Sequence, residues 1–117
     1  MGDPVLDEIE RLAHEAPDNW DSYGAPAVTR EAVKRARDSV DAIYWRLADR
    51  WISPTAGPDA AGGVELIWKS PRGALHVRVG TGERFKVFTM RGEVLTGPAQ
   101  LQTLGELIEL LKAHLQR

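Results

Sequence analysis

The chain has 117 residues, a formal net charge of −2 from 15 basic and 17 acidic side chains, four Trp and no Cys. That length is one domain's worth, and a compact body of this mass hides roughly 65% of the surface its unfolded chain exposes. The 43% apolar and 27% charged fractions exclude a disordered, collagenous or coiled-coil chain, and the missing Cys excludes disulfides, thiolate zinc sites, iron–sulfur clusters and Cys nucleophiles.

Asp3-Pro4 predicts a helix start, with Asp capping free amides and Pro tolerated in the first turn. Val5, Ile9, Leu12, Ala13 and Ala16 follow at helical spacing until Pro17 stops the run. A loop, Asp18 to Pro26, leads to a second helix capped by Thr29 and running to about Arg50. Its apolar stripe is Val33, Ala36, Val40, Ile43, Tyr44 and Leu47. Residues 52–63, rich in Pro, Gly and Ala, predict a connecting loop.

The period then changes from 3.6 to 2. Val64, Leu66 and Trp68 alternate with Glu65, Ile67 and Lys69, and Ser70-Pro71-Arg72-Gly73 has the chemistry of a type I turn. Leu75, Val77 and Val79 make a second strand, and Gly80-Thr81-Gly82-Glu83 turns the chain. Arg84–Thr89 makes a third strand, Arg91-Gly92 turns again, and Glu93–Thr96 is a short fourth. Gly97-Pro98 then opens a closing helix bearing Leu101, Leu104, Ile108, Leu111 and Leu115 on one face. Two helices, a three- to four-stranded antiparallel meander and a helix on one sheet face define an α+β single domain over residues 1–117.

The segment Asn19-Trp20-Asp21-Ser22-Tyr23-Gly24-Ala25-Pro26 resembles one in a set of small, uncharacterised bacterial and phage proteins. These carry an N-W-D-x-Y-G-A-x-P-like loop between two helices, followed by a Gly-Gly-apolar-x-Leu-x-Trp strand. Here that strand is Gly62-Gly63-Val64-Glu65-Leu66-Ile67-Trp68, and the likeness runs in order over roughly residues 17–115. Ile67 departs from the set, which leads one to expect a carboxylate just before the Trp. The resemblance implies the fold and leaves the function open.

No apolar run approaches the ~18 residues a membrane span needs. Asp3, Asp7 and Glu8 are unlike a signal peptide, so the expected location is the cytoplasm. Charge is graded: residues 1–29 carry −6, residues 30–50 and 51–97 carry +2 each, and the rest balance. No concentrated basic stripe marks a dedicated nucleic-acid binder.

Three surfaces are candidates for function. The first is a partner face at Trp45, Asp41, Leu107 and Leu110. On a helical wheel Trp45 lies about 140° from the centre of its helix's apolar stripe, beside Lys34, Asp38 and Asp41. Either a segment of the same chain covers it, which is the first expectation, or another molecule does. Leu107 and Leu110 give the last helix a second apolar side with Thr103 and His114, the pattern of a helix sandwiched within the monomer or across a homodimer. The second is a loop pocket at Trp20, Asp21 and Tyr23, the place for an enzyme site. Its structural alternative is a plug anchored by Trp20 and shaped by Asx turns. The third is the outer sheet face, where Lys69, His76, Arg78, Lys86 and Phe88 with Ile67 form a platform for an anionic partner such as single-stranded nucleic acid.

His14, His76 and His114 have no metal-ligand spacing, and no Ser sits in a nucleophile elbow. The expectation is therefore a non-enzymatic module without cofactor or metal that binds a protein partner. Inhibitor, antitoxin-like or accessory proteins are the concrete forms.

Overall fold

A computed structural model describes residues 3–71, 73–80, 85–91, 94–101 and 103–115. The predicted turns at Arg72, Thr81–Glu83 and Gly92, and the strand starts at Arg84 and Glu93, lie outside them. The chain runs α1 (Pro4–Glu15), α2 (Arg30–Leu47), a 3₁₀ turn (Ala48–Arg50), β1 (Thr55–Pro58), β2 (Val64–Ser70), β3 (Gly73–Val79), β4 (Phe85–Arg91), β5 (Val94–Leu101) and α3 (Leu104–His114). It is an α+β fold. All five strands are antiparallel neighbours in chain order.

The helices start where the caps predict. The Asp3 carboxylate accepts from Val5 N–H and the Thr29 hydroxyl from Ala32 N–H, each meeting an amide that the first helical turn leaves unpaired. Helix α2 ends at Leu47, where its stripe ends, and a 3₁₀ turn takes up the rest of the run predicted to about Arg50. Ala48 takes φ 50°, ψ −114°, a conformation natural only to Gly. Replacing Ala48 by Gly relieves that strain and loosens the unfolded chain. The net expected gain is about 1 kcal/mol, read from the midpoint of urea denaturation.

Two further differences from the sequence prediction fall at proline. Residues 52–63 contain strand β1, paired Thr55 to Ile67 and Pro58 to Val64. Proline is compatible with an edge strand because no neighbour needs its missing N–H. The outward N–H of Ala56 is met by the Glu8 carboxylate at 3.2 Å, so α1 covers that edge. Likewise β5 continues through Gly97-Pro98 to Leu101, beside a register shift between Val87 and Thr89 on β4. A bulge accommodates proline within a strand. Helix α3 therefore starts at Leu104, capped by Thr103, whose hydroxyl accepts from Glu106 N–H at 3.1 Å.

The sheet alternates as its period predicts. Val64, Leu66, Trp68, Leu75, Val77, Val79, Phe85 and Val87 are buried on the side facing the helices. There α1 packs on α2 and β1, α2 on β2 and β3, and α3 on α2 and β5. Among the described residues no helix packs on the other face. Leu107 is core, with no exposed surface, and Leu110 packs half-buried against that core. The second apolar side of α3 is thus filled from within the monomer, which removes Leu107 from any surface. His114 is also buried and ties α3 to the β2–β3 connection. Its Nε2 lies 3.2 Å from both the Ser70 hydroxyl and the Gly73 carbonyl.

Candidate functional site

The loop from Pro17 to Val28 spends its polar groups on its own backbone. Asp18 accepts from Ala27 N–H, Asn19 from Gly24 N–H, and a single Asp21 oxygen from both Tyr23 and Ala25 N–H. Asn19 and Ser22 sit at φ near 63°, Gly24 at 86°, left-handed conformations that these local hydrogen bonds support. Trp20 packs on the core and its indole donates to the Pro26 carbonyl at 3.2 Å. Tyr23 instead projects from the tip, 93% exposed. The geometry brings Asp21 to the loop's own amides and points Trp20 and Tyr23 apart, so the three do not converge on one pocket. Two shallow depressions, of about 270 and 290 Å³, lie along the flanks of α2.

The outer sheet face gathers the predicted cations and also acids that the prediction left out. Glu65 stands on this face, opposite Arg78 in register. One of its oxygens accepts from His76 Nδ1–H at 2.7 Å and the other from Arg78 Nε at 3.2 Å. Asp59 adds a second carboxylate 3.7 Å from Arg78. The Arg78 guanidinium also lies 4.5 Å from the centre of the Phe88 ring, which occupies the aromatic surface a stacked base would need. Lys69 and Lys86 remain exposed. The platform is therefore a partly neutralised cluster. The signal for this was present in the period-2 placement of Glu65 beside Ile67 and Lys69.

The Ser70–His114 contact is a hydroxyl–imidazole pair that spacing could not reveal. The Ser70 hydroxyl also donates to the Gly73 carbonyl at 3.3 Å, so hydroxyl, imidazole and carbonyl form one local cluster that joins α3 to the ends of β2 and β3. Among the described residues no three His, Asp or Glu side chains converge as a metal site. Among them, too, no helix is long and apolar enough to cross a membrane.

Trp45 is where the wheel puts it, on the outward side of α2, and 70% of it is exposed. The expectation of cover from the same chain is overturned. The 52–63 segment turns into β1 against α1 and β2, and α3 packs on α2 and β5. Tyr44 meets Trp45 edge to face at 5.5 Å, and Trp51 meets Tyr44 in the same way at 5.4 Å. Trp51 follows the 3₁₀ turn and so stands beyond the end of α2. It lies half-buried at the end of the helix pair, its indole donating to Asp3 at 2.8 Å. Glu31, Lys34, Asp38 and Asp41 are exposed along the same side of α2 as Trp45. Of the candidates, Trp45 and Asp41 thus share one open helix face.

No family model, curated protein or solved structure matches the chain.

Proposed function

We propose that this chain is a small protein-binding module that docks its partner on the open face of α2, as an inhibitor, antitoxin-like or accessory protein does. One observation carries the proposal: a tryptophan 70% exposed on a helix whose other large apolar side chains are covered. An indole is costly to leave in water, and tryptophan is the residue type most enriched at interface hot spots. The basic outer sheet face stands second, as a nucleic-acid surface, supported by exposed Lys69 and Lys86; retention on single strands that falls steeply with salt is its mark.

Trp45→Ala separates docking from folding. The side chain is exposed and Ala is the better helix former, so stability should change by no more than about 0.5 kcal/mol. The complex recovered from the native host, or a self-complex seen by light scattering, should weaken by roughly thirtyfold or more. A Trp45→Ala chain that unfolds, or that keeps its complexes at full strength, overturns the assignment.

A further inference from the structure

The open face of α2 also states what kind of partner fits it, given that α2 is the docking face. Glu31, Lys34, Asp38, Asp41 and Trp45 recur at steps of three and four residues, so they line one side of the helix along nearly its whole length. Their charges are not equivalent. Lys34 closes on Asp38 at 3.2 Å, an i,i+4 pair in which each charge is answered. Asp41 has no cation within ion-pair distance among the described residues, and it stands one turn before Trp45. The nearby arginines are directed elsewhere. Arg37 engages Glu10, while Arg35 lies over the Phe85 ring and donates to the Gly80 carbonyl. Arg46 lies about 100° further round the helix from Trp45.

An open indole with an unanswered carboxylate one turn away is complementary to a guanidinium. The planar cation stacks on the ring, and its fork of N–H donors reaches a carboxylate on the same side. Residues i and i+4 are only about 6 Å apart along a helix surface, a span one arginine side chain covers. A lysine would satisfy the charge but present no plane to stack. An anionic partner would meet Glu31 and Asp41 as like charges. We propose that the partner of this module is a basic segment that lays an arginine across Trp45 and Asp41.

The test titrates the whole chain with short, alanine-rich helical peptides carrying either arginines or glutamates, following tryptophan indole N–H signals by NMR. The Trp45 signal is assigned as the one lost in Trp45→Ala. The arginine peptide should move it saturably at roughly millimolar concentration or below, and Asp41→Asn should weaken that binding by about fivefold. The glutamate peptide should leave it unmoved. Equal responses to the two peptides, no response to arginine, or full affinity in Asp41→Asn overturns the proposal. The two levels separate with the host complex. If Trp45→Ala abolishes it and Asp41→Asn does not touch it, α2 stands as the docking face and the arginine assignment fails. If Trp45→Ala leaves it intact, both fail.

Discussion

Trp68→Ala should destabilise the fold by about 4 kcal/mol, the range for deleting a fully buried large aromatic. Trp68 is the largest side chain in the core and has no exposed surface. It sits on β2, opposite Leu75 of β3 and on the side facing the helices. Its indole also donates to the Ile52 carbonyl at 2.8 Å, so the cavity comes with an acceptor that loses its partner. A domain of this size has about 5–15 kcal/mol in total, and the variant keeps only part of that. Trp68→Phe isolates the second component, since it retains most of the ring volume and loses the hydrogen bond; about 1–2 kcal/mol is expected. Urea denaturation of the two variants and the parent, followed by circular dichroism, gives both numbers. If the two substitutions cost the same, packing at this site is not what holds β2 to the helices.

The side of the sheet that Trp68 faces was legible because period-2 alternation is a direct consequence of strand geometry. Leu66, Leu75 and Val77 are buried as that alternation requires. The helix starts were legible for a similarly local reason, since Asp3 and Thr29 act on amides within three residues. Proline and glycine misled at β1 and β5, because each residue type breaks a central strand yet fits an edge or a bulge. Whether they stop a strand depends on what lies beside it, which is tertiary information. The same division holds at the candidate sites. The outward position of Trp45 follows from helical spacing alone, but its lack of cover depends on where β1 and α3 pack. The basic sheet face appeared as cations because Lys69, His76, Arg78 and Lys86 were counted along strands. Its neutralisation runs across strands, from Glu65 on β2 to His76 and Arg78 on β3.

The longest of these unreadable connections predicts the second large effect. Asp3 accepts from Val5 N–H at 2.9 Å, the Ser53 hydroxyl at 2.7 Å and the Trp51 indole at 2.8 Å. It caps α1 and fastens that helix to the segment after α2, some fifty positions on in the chain. Asp3→Ala removes the cap, worth about 1 kcal/mol, and leaves the half-buried Trp51 indole without its acceptor. The exposed Ser53 hydroxyl can turn to water or to the Pro54 carbonyl. The total expected loss is about 2–4 kcal/mol. This loss should depend on pH. Burial pushes the Asp3 carboxyl up, but hydrogen bonds from Val5, Ser53 and Trp51 together outweigh it and hold the group below its ordinary value of 3.8. A carboxylate whose pKa is lower folded than unfolded contributes stability that is complete above the unfolded value and disappears as pH falls through the folded one. The gap in stability between the parent and Asp3→Ala should therefore be full at pH 7 and narrow below about pH 4. Denaturation curves for both chains at neutral and acid pH measure it. A gap that stays constant on acidification would mean that the cap and the Trp51 contact do not depend on the charge of Asp3.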